Sequence, residues 1–231
     1  MLVEENVRIL IAHESRMSCQ LMATALRGSG YPFTIVDCAV DSSSIRSGMD
    51  MNEVDVAVIS ATLRDGNDAG FNVTREIRVN HPKTEVIMLL ESDDQYTITE
   101  AFLAGASGVL SRDESFELLC KCIHAVSQGQ VWANSRELHY LLDALVQNRP
   151  ISTGSAKVPK PSNSLTSREQ GVVQLVAEGL TNRDISKHLH LSEHTVRNYL
   201  FRIYNKLGTS NRLELALYVL HHRKVGDADR P

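Results

Sequence analysis

The stretch Leu165–Leu217, LTSREQGVVQLVAEGLTNRDISKHLHLSEHTVRNYLFRIYNKLGTSNRLELAL, decides the fold of the C-terminal part of this chain. Thr166 has the chemistry of a helix N-cap, and Glu169, three residues on, completes a capping box. Val172, Val173, Leu175 and Val176 supply the apolar stripe of that helix, and Gly179 stops it. A second short helix runs from Asn182 or Arg183 to Leu189 and buries Ile185 and Leu189. His190 to Ser192 is a tight turn, after which Ser192 caps a third helix with Thr195 just inside it. In that third helix Val196, Leu200, Ile203 and Leu207 recur at helical spacing and face a core, which leaves Arg197, Asn198, Phe201, Arg202 and Asn205 outside. A fourth helix is expected from Ser210 to His222.

Two short helices joined by a tight turn, followed by a basic helix, are the grammar of a helix-turn-helix, whose outer face enters the major groove of duplex DNA. Arginine pairs with guanine and asparagine with adenine, so Arg197 and Asn198, near the start of the third helix, are the candidate base readers. Arg183, Lys187, Arg202 and Lys206 are placed as phosphate contacts, and Asn182, His194, Thr195 and Phe201 complete the expected contact set. Phe201 would touch a thymine methyl or pack on a partner. A run of cations on an arbitrary helix is usually a solvated face, but the order of capping box, turn, Ser cap and basic helix argues for DNA here.

Composition sets bounds on the rest. A chain of 231 residues with 42% hydrophobic content suits two ordinary soluble domains. No apolar run approaches the roughly 18 residues of a membrane span, and Met1–Leu10 lacks a signal-peptide core, so a cytoplasmic location is expected. Cys19, Cys38, Cys120 and Cys122 form no CxxC pair and have no His at zinc spacing, so reduced, mostly buried thiols are expected and no metal site. The net charge of −4 conceals an asymmetry: residues 1–150 hold 12 Lys and Arg against 21 Asp and Glu, whereas residues 151–231 hold 12 against 7. A basic module tied to an acidic one fits a DNA binder with a separate regulatory domain.

The acidic half alternates short apolar runs with helical patterns, the signature of a parallel sheet covered by helices. Val7–Ala12, Ile35–Ala39, Val54–Ile59, Val86–Leu90 and Gly108–Leu110 read as buried strands. Helices are expected near Met17–Leu26, Ser43–Gly48, Gly70–Val79, Tyr96–Ala104 and Phe116–Ser127. The fold class is α/β: a flavodoxin-like, doubly wound five-stranded parallel sheet, followed by an all-α helix-turn-helix domain. A further helix, Ser135–Val146, carries Leu138, Leu141, Leu142 and Leu145 on one side. Arg149–Ser164 has no apolar period and collects Pro, Ser, Gly and Lys, which makes it a linker. The expected division is 1–128 for the sheet domain, 129–148 for the extra helix, 149–163 for the linker and 164–226 for the DNA-binding domain.

With TNRDIS, LSEHTV and KLGTSNR in place, the C-terminal stretch resembles the LuxR/FixJ-type DNA-binding domain along about sixty residues. The strand order together with GASGVLSRD at Gly105–Asp113 resembles the receiver domain of a response regulator over Val7–Gln128. The receiver resemblance implies an acidic pair after the first strand for Mg²⁺, a phosphoacceptor aspartate ending the third, Thr or Ser ending the fourth and Lys ending the fifth. These positions fall on His13 and Glu14, on Ser60, on Leu90 and on Arg112, and the aromatic switch position falls on Val109. One carboxylate remains of three, so Mg²⁺ binding is expected to be weak. A serine with no adjacent base is a poor replacement for the carboxylate that forms an acyl phosphate. Asp55 precedes the third strand and Asp65 lies beyond it, so neither restores the site.

The expectation is a degenerate receiver joined to an intact DNA-binding domain: a transcription regulator independent of aspartyl phosphorylation, with no catalytic residues and no cofactor. Its expected partners are a promoter with two half-sites and a second copy of the chain, since pairing gives a helix-turn-helix its half-site selection. The alternatives are a regulatory protein or a small molecule docked on the receiver. Val131–Arg136, VWANSR, carries Trp132 and Arg136 but one residue too many for the Trp-to-Arg tetrapeptide with which some similar regulators bind a cyclic dinucleotide, and Trp132 otherwise serves as a packing anchor. An enzyme using His13, Glu14 and Ser60 is the rival of another class. It lacks a glycine-rich phosphate loop and a complete nucleophile constellation.

Overall fold

The computed structural model describes residues 6–147 and 165–209, together with 212, 214–216, 218 and 219; for 142–147 it describes the backbone alone. The expected linker at 149–163, the side chains of Leu142 and Leu145, and both ends of the fourth C-terminal helix lie outside the described residues. The chain divides into two compact units, Met1–Ser127 with Trp132–Gln147, and Gln128–Val131 with Asn148–Pro231. Among the described residues no helix is long and apolar enough to cross a membrane.

In the first unit, strands β1 (Val7–Ala12), β2 (Phe33–Ala39), β3 (Val56–Ser60), β4 (Glu85–Leu90) and β5 (Gly108–Ser111) alternate with helices α1 (Arg16–Arg27), α2 (Ser42–Met51), α3 (Ala69–Asn80), α4 (Gln95–Leu103) and α5 (Phe116–Ser127). The strands form one parallel sheet in the order β2-β1-β3-β4-β5. The order reverses between β1 and β3, and the crevice beyond their carboxyl ends is where a doubly wound sheet builds a site. Register brings the relevant ends together: Ala12 lies opposite Ile59, Ser60 opposite Leu89, and Leu90 opposite Ser111. All five residues of β3 are buried, as a strand covered on both faces requires. Close packing of α3 beside β3 depends on Gly70, where an added Cβ would stand 2.1 Å from the Ser60 carbonyl oxygen.

Helix α2 outruns its expected span at both ends. Asp41 starts it through a capping box with Ser44, and Gly48 remains inside the helix, buried beside Asp37 and Leu10. A sixth helix, α6 (Ser135–Gln147), packs on α4. Trp132, just ahead of it, forms a parallel bridge with Gly108 and packs its side chain on the sheet's core, so it covers the open edge of β5.

The second unit holds α7 (Ser167–Ala177), α8 (Asn182–Leu189) and α9 (Glu193–Leu207). The Thr166–Glu169 capping box forms as expected. His190 ends α8 in the left-handed region at φ 54°, and Gly208 ends α9 at φ 69°. Arg212, Glu214, Leu215, Ala216, Tyr218 and Val219 are helical, within the expected fourth helix. Val172, Val176, Ile185, Val196, Leu200, Ile203 and Leu215 form the core. Tyr204, outside the expected apolar line, joins them.

Candidate nucleic-acid interface and receiver crevice

Helix α9 advances about 100° per residue, so the line through Val196, Leu200, Ile203 and Leu207 fixes the inward direction. Directly opposite, within an arc of about 60°, lie Phe201, His194, Asn205 and Asn198. Arg197 borders this arc on one side and Arg202 on the other. His194, Arg202 and Asn205 are exposed, whereas Arg197, Asn198 and Phe201 are half-buried. Phe201 does not belong to the core cluster to which its helix neighbours Tyr199 and Leu207 contribute. Arg197, expected outside the core with Asn198 as a candidate base reader, stands at the border of this arc beside buried Tyr204. The Thr195 hydroxyl meets that of Ser192 at 2.7 Å, so it belongs to the cap of α9. On α8, Lys187 is exposed and Arg183 half-buried.

Two residues of the expected contact set bond to other side chains of the domain. Asn182 is buried and its amide oxygen accepts from Arg212 Nη1 at 3.3 Å, while Arg212 Nη2 donates to the Leu180 carbonyl. The Lys206 ammonium donates to Glu169 Oε2 at 2.7 Å. That carboxylate, 4% exposed, also accepts from the Thr166 backbone N–H at 2.8 Å and from the Thr166 hydroxyl at 3.0 Å. Chiefly through Lys206, and against the effect of burial, the Glu169 carboxyl is held below the usual range. The capping box was visible in sequence, but its cationic partner lies 37 residues away and had no local signal.

In the first unit the sequence positions of the receiver site do converge. Arg112, just past β5, donates to Ser60 Oγ at the end of β3, reaches Glu14 at 3.3 and 3.4 Å, and pairs with Glu91 at 2.7 Å. Its planar guanidinium thus bridges three strand ends, which the single point charge of a lysine does less well. Glu91, the residue after β4, was absent from the expected set. A lone carboxylate in a loop carries no periodic signal. Ser60 is fully buried and Leu90 2% exposed, so neither faces solvent. His13 Nδ1 accepts from the Ser15 backbone N–H at 3.1 Å. Burial first, and then the Arg112 cation, lower the His13 pKa against the opposing pull of Glu14 and Glu91. The imidazole makes no hydrogen bond with Ser60 among the described residues, so the rival enzyme reading gains no Ser–His pair.

The donor set does not fit the Mg²⁺ of a working receiver. Glu14 and Glu91 both face the Arg112 cation, and no three His, Cys, Asp or Glu side chains converge among the described residues. Asp55 pairs with Arg8 Nε at 3.0 Å, and the Asp65 carboxylate accepts from the Ser42 N–H at 3.2 and 3.3 Å, so both act elsewhere. Arg136 pairs with Asp93 and lies over the Tyr140 ring at 5.9 Å. All four cysteines are free, and burial pushes the Cys19 thiol up to about 11.

The sequence model of the response regulator receiver domain matches residues 9–124, and that of the luxR family of bacterial regulatory proteins matches residues 163–219. The transcriptional regulatory protein DegU of Brevibacillus brevis is 29% identical over 153 residues, 63% of this chain and 65% of its own. The DNA-binding transcriptional activator DevR/DosR of Mycobacterium tuberculosis is 31% identical over 149 residues, 64% of this chain and 65% of its own. The chain thus spans just under two thirds of the length of these relatives. Among solved structures, the RcsB response regulator of Salmonella typhimurium superposes with a TM-score of 0.53 at 18% identity, covering 94% of this chain and 98% of RcsB. A LuxR-family response regulator from an Aurantimonas species gives 0.54 at 19%, covering 62% of this chain and 99% of its own. At such identities the likeness is one of fold. The receiver match takes in half of the chain, which therefore belongs to the response regulators that carry this receiver domain, here joined to a segment matching the luxR family of bacterial regulatory proteins.

Proposed function

We propose that this protein is a sequence-specific DNA-binding transcription regulator that works without aspartyl phosphorylation, as a dimer on a promoter carrying two half-sites. The observation that carries the reading is Arg112: its guanidinium lies among Ser60, Glu14 and Glu91 where a receiver would hold its phosphoryl group and metal. Ser60 offers a buried hydroxyl already taken as an acceptor, and forming an acyl phosphate requires a carboxylate. Leu90 supplies no hydroxyl to a phosphoryl oxygen, and Val109 supplies no aromatic ring to respond to one.

The DNA-binding half retains what its task requires. The outer face of α9 is polar and borders on Arg197 and Arg202, with Lys187 and Arg183 on α8 as further phosphate contacts. DegU and DevR/DosR bear names of transcriptional regulators, which supports the same role here. Dimer formation follows the symmetry of two half-sites. Control by a small molecule such as a cyclic dinucleotide has less support, because Trp132 is packed on the core and Arg136 is paired with Asp93.

Sedimentation and operator titration with and without acetyl phosphate and Mg²⁺ test the reading. The expected result is one assembly state and one affinity under both conditions. A donor-dependent gain in either would overturn phosphorylation independence, and equal affinity for operator and random duplex would overturn sequence-specific regulation.

A further inference from the structure

The arc of α9 opposite the core contains no Lys or Arg. Its members are Phe201, His194, Asn205 and Asn198, and the arginines stand at its borders. This composition has a consequence for base readout. Guanine is most often recognised in the major groove by Arg or Lys, adenine by Asn or Gln through N6 and N7, and the thymine 5-methyl group by an apolar side chain. Phe201 has no donor or acceptor, lies outside the core cluster, and faces the same side as Asn198 three residues earlier. Residues at i and i+3 of a helix are neighbours on one face and differ by about 4.5 Å in rise, close to the roughly 3.4 Å between successive base pairs.

Resting on the reading that the chain binds duplex DNA, we propose that α9 reads adjacent A·T pairs, with the Asn198 amide on adenine and the Phe201 ring on the methyl of a thymine. Arg197 and Arg202 then straddle the groove as phosphate contacts. The half-site core is accordingly A·T rather than G·C. A phenylalanine on this arc selects for the methyl because the other groups that a base pair offers in the major groove are polar and would lose hydrogen bonds to water against its ring.

The test uses the full chain and a pool of random 20-base-pair duplexes, from which bound sequences are recovered. Enriched half-sites should centre on an A·T step, and replacing their thymines by uracil should weaken wild-type binding about fourfold for each methyl in contact. Phe201→Ala should bind thymine and uracil duplexes alike, and Asn198→Ala should lose its preference for adenine over 7-deazaadenine. Both residues lie off the core, and unchanged thermal unfolding of each variant confirms that the fold is kept. Enrichment of G·C at the centre, or a wild type indifferent to uracil, overturns the proposal while leaving DNA binding intact. Failure to bind any duplex overturns the function on which it rests.

Discussion

Lys206 was expected on a phosphate and is found on Glu169, and the two roles make opposite forecasts for Lys206→Ala. The Glu169 carboxylate is 4% exposed and Lys206 is 25% exposed, with 2.7 Å between the charged atoms. Removing the cation leaves a buried anion with two hydrogen bonds from Thr166. Breaking a fully buried pair costs about 3–5 kcal/mol, and the partial exposure of Lys206 together with the retained Thr166 bonds brings this to about 2–4 kcal/mol. Residues 165–219 form a small unit, for which about 0.05–0.15 kcal/mol per residue gives a total of roughly 3–8 kcal/mol. The substitution therefore removes at least about a quarter of its stability.

The assay is urea titration of the full chain followed by hydrogen exchange in α7 and α9. The lone Trp132 belongs to the first unit, so its fluorescence serves as an internal control that should not shift. Lys206→Met with Glu169→Gln should recover much of the loss, since the double change leaves no unpaired charge, and the cycle isolates the coupling. A phosphate contact predicts instead unchanged stability and a salt dependence of DNA binding that is shallower by about 0.9 in log–log slope. Loss of less than 0.5 kcal/mol, or additivity of the two single substitutions, would refute the strut.

Acid should destabilise the second unit through Glu169. The Glu169 pKa is depressed in the folded state, so its contribution is complete above the ordinary glutamate value of about 4.3 and is lost as pH falls through the lower folded value; exchange in α7 against pH should show this, and Glu169→Gln should flatten the curve. His13 acts in the same direction at higher pH: its folded pKa is lowered, so stability falls as pH drops below the ordinary value of about 6.5, and His13→Gln should remove that slope from the Trp132 unfolding transition. Gly70→Ala should destabilise the sheet unit by at least about 2 kcal/mol, because the new Cβ meets two backbone carbonyl oxygens at 2.1 and 2.7 Å rather than a movable side chain; Trp132 fluorescence in urea reads this directly.

What was legible in the sequence was what repeats or caps locally. The bounds of β1 and α5 match their expected residues because an unbroken apolar run and an apolar helical period bounded by polar loops leave little choice. The caps of α7 and α9 were legible because a Ser or Thr whose hydroxyl accepts from the backbone N–H three residues on is a short-range pattern. The commitments of polar side chains were not. Asn182 reads as a groove contact until Arg212, 30 residues on, takes its oxygen, and Glu91 is one carboxylate among many until Arg112 reaches it from 21 residues away. Helical phase lay between these cases: the four core positions leave Arg197 outside, and counting 100° per residue from them puts it at the border of the outer face.

The Arg112 cluster also bears on whether the lost chemistry can be put back by one change. Ser60→Asp restores a carboxylate at the end of β3, at a fully buried position where Arg112 already donates to the present hydroxyl. A buried carboxylate beside a guanidinium forms an ion pair, which strengthens the link to Arg112 rather than freeing the oxygen as a nucleophile. Glu14 and Glu91 still face the same cation, so the site gains one acid without gaining a set of ligands for Mg²⁺. Leu90 still lacks a hydroxyl. The expected outcome is that Ser60→Asp folds, gains stability at neutral pH relative to pH 3, and takes up no acid-labile phosphate from acetyl phosphate with Mg²⁺. Stoichiometric labelling of that single variant would show that Arg112 yields the crevice readily, and the argument that this cation keeps the receiver from phosphorylation would fall with it.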